Sequence, residues 1–276
     1  MYKAEVHDQI FKEGSTVFYY STKFFPEWIR KEVAILYAFV RVADDFVDCV
    51  PQDREGFNQF KKEYYSAIKK GKSDNMVIDS FVELSKKRKF EPEWTDAFLD
   101  SMGEDLNKNK YNTYQETLKY IYGSAEVIGL YMAKIIGLPK KTYKYAARLG
   151  RAYQLINFIR DIQYDIELGR VYWPKEELSH FHLENLSEEY TKKNHQNFKH
   201  FMRFLVHRFK MNIEEAHLGL ELMPKTLAVA IKTASDGYLW TADKIYKNPF
   251  IVYKKIVKPS KFRVLFWGIR NAILMK

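Results

Sequence analysis

Apolar residues recur along most of this chain at spacings of three and four, which places them on one face of an α-helix. The pattern begins over residues 3–12 and stops before Gly14. Ser15 to Ser21 is small, polar and aromatic, and reads as a loop or the start of a helix. Pro26 suits a first helical turn, where its missing N–H is not needed. It opens a helix to about Cys49, stopped by Pro51. Further helices are predicted over 53–70 before Gly71, over 76–88, and from Pro92 to about Leu106. A long apolar helix over 113–137 ends at Gly137, with Pro139 beyond it. Residues 140–168 form another, closed by Gly169, and Pro174 opens the next element. Residues 187–217 are polar and helical, Gly219 and Pro224 mark breaks, and 225–247 is a last core helix before Pro249. No segment alternates at period two, so no sheet is expected. The predicted fold class is all-α, one domain over 1–247 followed by a basic amphipathic segment over 248–276.

Two of these helices carry acids where a buried face should be apolar. In YAFVRVADDFVD, residues 37–48, Tyr37, Arg41, Asp44 and Asp48 fall within about 60° on a helix wheel. In QLINFIRDIQYDIELGRVYW, residues 154–173, Gln154, Asn157, Asp161 and Asp165 fall within about 80°. An isolated DDxxD is ordinarily a solvated helix face. Here Val40, Val42, Ala43, Phe46 and Val47 surround Asp44, Asp45 and Asp48, and buried carboxylates must be paired or bind metal. Arg41 is either the ion-pair partner or a phosphate ligand. The second stripe is either a polar network with Arg160 or Arg170, or a row of oxygen ligands for one cation. Hard oxygen donors of this kind suit Mg²⁺ shared with substrate phosphates.

Composition narrows the choice. The sequence is 46% hydrophobic and 16% aromatic, enough for a sizeable core in 276 residues. Cys49 is the sole cysteine, so no intrachain disulfide forms and a reducing compartment is natural. The N-terminus lacks the apolar run of a secretory signal, and no uncharged stretch approaches a bilayer span. The expected location is cytoplasmic. The net charge of +10 resides in the tail: residues 244–276 hold nine Lys or Arg and no acid, leaving 36 basic against 35 acidic residues elsewhere. A nucleic-acid partner is therefore not expected. No His or Cys cluster has zinc spacing, and no GxGxxG or Walker loop is present.

Two acidic walls in an apolar, aromatic-rich helical bundle suit a diphosphate bridged by cations, with the apolar lining holding a hydrocarbon. Metal ions would make the diphosphate a better leaving group. Tyr37, Tyr120, Tyr122, Phe18 and Tyr131 could face a developing carbocation with π-density, although for each taken singly core packing is the better reading. The physical reading is ionisation of a prenyl diphosphate.

FPEWIRKEVAILYAFVRVADDFVD, YIYGSAEVIGLYM and LGRAYQLINFIRDIQYDIELGRVYWPKEEL resemble the signature segments of the squalene/phytoene synthase family. The resemblance covers residues 15 to about 178 closely and the last third loosely. It implies a single all-α domain around a central apolar cavity, the isoprenoid-synthase type of bundle. It also implies head-to-head joining of two prenyl diphosphates through a cyclopropyl intermediate, with Mg²⁺ or Mn²⁺. By position, Asp44 and Asp48 resemble the first-motif aspartates. Asn157, Asp161 and Asp165 resemble the second-motif metal ligands, with Gln154 beside them. Arg41 and Tyr37 match the diphosphate-facing Arg and Tyr, and Ser15 and Phe18 match the N-terminal flap. Tyr120 matches the aromatic at the cavity mouth, Arg170 and Tyr172 the RxY pair, and Tyr238 the late tyrosine. The roles expected from this are Arg41 and Arg170 on diphosphate oxygens, with Tyr37, Phe18 and Tyr120 bordering the cation path.

The chain departs from the family pattern in places. Val17 stands where a second small hydroxyl is frequent. Ser124-Ala125-Glu126 replaces VAG, and Glu126 is expected to cap or pair within the bundle. RVADDFVD replaces the RRTDELVD of phytoene synthases. The donor is expected to be the C20 diphosphate, giving phytoene, because Ala34 and Thr22 are small where bulk would shorten a tail pocket. The alternatives are squalene or dehydrosqualene formation from the C15 donor, then a class I terpene cyclase, then a non-catalytic lipid-binding or assembly relative. Squalene formation would need NADPH, and the sequence leaves that open, as it does oligomeric state. The tail mixes Lys and Arg with Phe, Trp, Ile and Leu, and reads as a membrane-surface helix on the inner face of the cytoplasmic membrane. The competing reading is a basic segment packed on the domain.

Overall fold

Capping side chains and helix breakers set most element boundaries. The computed structural model describes residues 3–275. Helix α1 spans Lys3–Gly14, and α2 spans Thr16–Ser21. Ser15 caps α2, its Oγ accepting from the Phe18 N–H at 3.3 Å. Helix α3, Glu27–Asp48, starts directly after Pro26 and is uninterrupted, as its sequence predicts. Asp53 caps α4 (Arg54–Lys70) and Asn75 caps α5 (Met76–Arg88). Pro92 opens α6 (Pro92–Glu104), and Thr113 caps α7 (Tyr114–Ile121). The remaining helices are α8 (Val127–Ile136), α9 (Tyr143–Arg160), α10 (Ile162–Glu167), α11 (Lys175–His180), α12 (Glu188–Lys193), α13 (His195–His217), α14 (Lys225–Lys247) and α15 (Lys261–Leu274). Gly137 and Gly169 end α8 and α10 in the left-handed region, at φ of 80° and 76°, which side chains with a Cβ resist. Among the described residues there is no strand, only an isolated bridge between Lys110 and Val171.

Three predicted helices are interrupted, each for a local reason. The helix over 113–137 contains a π-turn at Tyr122–Glu126. Gly123 lies there against the Ala97 carbonyl, where a Cβ would come within 2.1 Å. The helix over 140–168 kinks at Asp161, whose φ and ψ are −101° and 16°. Arg160 grips Asp161 through two hydrogen bonds, Nε to Oδ1 at 2.7 Å and Nη2 to Oδ2 at 2.5 Å. Adjacent side chains on a regular helix point about 100° apart, so that grip goes with a bent backbone. The helix over 187–217 breaks at Asn194, whose side chain donates to the Tyr190 carbonyl at 3.0 Å.

Helix α9 runs through the middle of the bundle, packed against α8, α13, α14 and the π-turn. Helix α3 packs on α1, α4, α5, α6 and α8, with Phe39 stacked on Phe81 at 3.8 Å. Each fully buried Phe of this core contributes about 1.5–3 kcal/mol. The π-turn and α9 approach so closely that a Cβ on Gly150 would stand 2.2 Å from the Ala125 carbonyl oxygen. Glu126, buried in that turn, pairs with Arg151 Nε of α9 at 2.5 Å. Helix α15 packs on α2 and α14. Its Gly268 lies against Phe24, and Asn271 donates to Asp236 Oδ2 at 2.9 Å.

The close approach at Gly150 predicts that Gly150→Ala forces α9 away from the π-turn. It should cost about 1–3 kcal/mol, read as a lowered thermal midpoint, whereas Gly137→Asn should cost less because a Cβ at Gly137 meets nothing within 4 Å.

Candidate active site

The bundle encloses a cavity of about 600 Å³, and every residue matched by position to the signature segments above borders it. One end is acidic. Tyr37, Arg41, Asp44 and Asp48 face it from α3, and Gln154, Asn157, Asp161 and Asp165 from α9 and α10. The far walls are apolar, with Val33, Ile128, Met132, Ile136, Leu149 and Ile231 among them.

Arginines hold part of the acidic end together. Arg41 pairs with the exposed Asp45 at 2.5 Å and lies 3.6 Å from Asp44. Arg170 donates to Asp48 Oδ1 at 2.6 Å and to the Val47 carbonyl, which ties the segment after α10 to the end of α3. The polar network weighed above for the second stripe is thus present at Asp161, through Arg160, whereas Arg170 pairs with Asp48 of the first stripe. Asn157 Oδ1 is buried and accepts no hydrogen bond. Asp44 is a third exposed, but it opens onto the cavity, and its carboxyl is pushed up to about 8 by burial and by Asp48. Burial, Asp161 and Asp48 likewise hold Asp165 well above the usual carboxylate range. Among the described residues, no three His, Cys, Asp or Glu side chains converge to hold one ion by themselves.

Aromatic rings form two groups on the wall. Phe18 lies 5.5 Å from both Tyr153 and Tyr238, which lie 4.7 Å apart. Burial pushes the Tyr238 phenol up to about 12. Opposite, Tyr172 stacks on Phe158 at 4.2 Å and lies 5.0 Å from Tyr120. Tyr37 rests on Phe11 at 4.5 Å, and a Cβ on Gly14 would come within 2.3 Å of its hydroxyl. Two expectations are corrected. Tyr122 is exposed and Tyr131 is in the core, bonded to Thr95 at 2.7 Å, so neither borders the cavity. Ala34 is buried away from the cavity, whereas Thr22 is on its wall.

Two wall residues went unrecognised in the sequence, and a third, Arg160, was read only as a possible partner of the acidic stripe. Tyr153 stands four residues before Asn157, so the stripe's own spacing could have found it. Asp105 could not be found that way. It sits in the polar run GEDLNKNK, which reads as a solvated helix end, yet it is buried.

The squalene/phytoene synthase family profile matches residues 11–264. A 15-cis-phytoene synthase from Enterobacter agglomerans is 31% identical over 241 residues, 82% of this chain and 80% of that one. A 4,4'-diapophytoene synthase from Staphylococcus haemolyticus is 24% identical over 273 residues, 89% of this chain and 95% of that one. Among solved structures, a dehydrosqualene synthase superposes with a TM-score of 0.85 at 20% identity, covering 99% of this chain and 96% of that one. A squalene synthase from Alicyclobacillus acidocaldarius superposes at 0.79 and 20%, covering 90% and 94%. The all-α fold and the family profile agree, and the chain belongs to the squalene/phytoene synthase family.

Proposed function

We propose that this prenyltransferase joins two geranylgeranyl diphosphates head to head to give phytoene. Head-to-head condensation of prenyl diphosphates is the reaction of the family. The C20 donor is supported by the phytoene synthase relatives and by Thr22, small on the cavity wall. The diapophytoene synthase relative favours a second reading, the C15 donor. The observation that carries the assignment is the pairing of two acidic walls with one apolar cavity.

The residues present fit a divalent cation such as Mg²⁺ or Mn²⁺. Asn157 presents a buried oxygen without a partner, and Asp44 and Asp165 are desolvated carboxylates that a cation would relieve. Asp44, Asp48, Asn157, Asp161 and Asp165 would hold it, as hard oxygen donors suited to a cation that also binds substrate phosphate. A bound cation would supply charge neutralisation that makes diphosphate a better leaving group. The chain's own residues do the rest. Arg41 exchanges Asp45 for diphosphate oxygens, and Arg170 keeps Asp48 in place. Ser15 holds Phe18 through the α2 cap, and Gln154 extends the donor row above Asn157. Phe18, Tyr37, Tyr120 and Tyr238 present rings to the cationic carbons, and the apolar walls exclude water. NADPH is not needed in this reading, because phytoene forms without reduction.

The segment 248–276 serves, in the same reading, as a peripheral membrane contact. Phe262, Phe266, Ile269 and Ile273 lie on one face of α15 and are 58–72% exposed, opposite the buried Val264, Gly268 and Asn271. Nine cationic side chains and no acid over 244–276 favour an anionic leaflet. Ile256 and Lys258, just before α15, border the cavity, so the apolar face adjoins the route of a lipid. Among the described residues no helix is long and apolar enough to cross a bilayer.

Purified protein with Mg²⁺ should convert geranylgeranyl diphosphate to a C40 hydrocarbon without NADPH. A C30 product from farnesyl diphosphate alone would move it to the second reading. Asp44→Ala and Asp161→Ala should each lose turnover by about 10²-fold or more, and near-wild-type rates would refute the ligand assignment. The raised pKa of Asp44 means that metal-free protein favours its protonated form. That stability is full below the unfolded value of about 3.9 and is lost as pH rises through about 8. The thermal midpoint of chelator-treated protein should therefore fall over this window, less steeply in Asp44→Asn, and Mg²⁺ should raise it more at pH 8 than at pH 5. Equal Mg²⁺ stabilisation at both would count against the site. In sedimentation with anionic liposomes, Phe262→Ser with Phe266→Ser should lose binding about tenfold or more, and undiminished binding would sink the membrane assignment.

A further inference from the structure

Asp105 ends α6 and has no part in the reaction as described so far. Its side chain is only 2% exposed, yet it borders the cavity. Its oxygens are divided between two phenols: Tyr120 Oη donates to Oδ2 at 2.6 Å, and Tyr172 Oη donates to Oδ1 at 2.8 Å. Arg170 Nη1 stands 3.8 Å from Oδ2. The backbone carbonyl of Asp105 accepts from Gln52 at 2.9 Å, so the carboxyl is fixed from behind. Three groups on the cavity wall, 15 to 67 residues away in sequence, are thus ordered by one carboxylate.

A buried carboxylate is costly to retain unless something uses it. Burial pushes this one up to about 6, against the pull of Arg170 and the two phenols. Each phenol has one proton, and each gives it to Asp105. Tyr172 Oη also accepts from Arg170 Nη1 at 3.4 Å, so what the two phenols offer to the cavity is the Tyr120 lone pairs and the one that Tyr172 has left. A lone pair held at a fixed distance stabilises a cationic carbon by ion–dipole attraction. A hydroxyl free to swing can donate to water and admit it, or reach the cation itself.

We propose that Asp105 is a positioning residue that locks the Tyr120 and Tyr172 hydroxyls as acceptors toward the cationic carbons and so governs whether the cation couples or is captured by water. Capture forms a C–O bond, and the water's proton passes to solvent, giving a prenyl alcohol instead of a hydrocarbon. The inference rests on the prenyl-coupling reading above.

The test compares wild type, Asp105→Asn, Tyr120→Phe and their double variant, in the full chain with Mg²⁺ and geranylgeranyl diphosphate. The readouts are kcat, KM, and the ratio of alcohol to hydrocarbon in the extracted lipids. Asp105→Asn keeps the shape but can accept from only one phenol. It should lower kcat about 10- to 100-fold, leave KM within about threefold, and raise the alcohol fraction. Because the aspartate acts through the tyrosine, the double variant should be little worse than Tyr120→Phe alone. An unchanged alcohol fraction, or losses that multiply in the double variant, would overturn the assignment. Should Asp105→Asn fail to fold, Tyr120→Phe with Tyr172→Phe carries the test in the presence of the aspartate, and an unchanged alcohol fraction there overturns it equally. Wild-type protein that couples neither the C20 nor the C15 donor would refute the prenyl-coupling reading itself, and the role of Asp105 with it.

Discussion

Negative charge gathered inside an apolar bundle is the constraint on which the rest of this structure depends. Asp44, Asp48, Asp105, Asp161 and Asp165 all border one cavity. Ionised together they would repel one another and forfeit hydration, a cost of several kcal/mol per ion in a dry site. The protein meets this unevenly. Asp48 and Asp161 have close arginines, Asp105 has two phenols and a more distant guanidinium, Asp44 has Arg41 only at 3.6 Å, and the carboxyls of Asp44 and Asp165 are driven upward. That unevenness is chemically informative. A site built only for stability would pair every acid, whereas a site that takes up a cation keeps ligands whose charge is not yet spent.

Arg170 is the mechanical counterpart of that electrostatic constraint. It reaches from beyond α10 to Asp48 and the Val47 carbonyl at the end of α3, and lies beside Tyr172 and Asp105. The two acidic walls come from helices over a hundred residues apart, and one guanidinium sets their separation. Its planar fork can serve several acceptors at once, which a lysine could not reproduce. Two glycines act on the same geometry. Gly123 of the π-turn and Gly150 of α9 let α6, the turn and α9 approach closely, which sets Tyr120 beside Phe158, the residue after Asn157.

The sequence made the acidic walls legible because helical spacing is a local property. Tyr37, Arg41, Asp44 and Asp48 share a face of an unbroken α3, and the pattern could be read directly. The four residues of the second stripe border the same cavity, although their helix kinks at Asp161. The kink depends on how Arg160 and Asp161 find each other, which spacing does not report. Tyr122 and Tyr131 show the opposite limit. An aromatic on an apolar helix is equally suited to core and cavity, and only the packing of Thr95, Phe90 and Trp94 placed Tyr131 in the core. Asp105 was illegible for a further reason. The run around it is mostly polar in sequence, and its carboxyl is held by Tyr120 and Tyr172, which arrive from other segments.

The position of α15 gives the last constraint on how such a site is supplied. Its buried side is pinned by Asp236, which accepts from Lys232, Arg270 and Asn271, and by Phe24 against Gly268. Its packing partner α2 carries Phe18 to the cavity wall, and Ser21 and Thr22 at the end of α2 border it too. The outward face of α15 and the flap of the cavity therefore share one structural unit. Substrate and product both carry long hydrocarbon chains that water rejects at about 0.8 kcal/mol per methylene. A path through bulk water would expose those chains in transit. Ile256, just before α15, borders the cavity and offers apolar surface at that point. The apolar outward face, which folding alone does not require, has a physical use if the cavity opens toward a membrane.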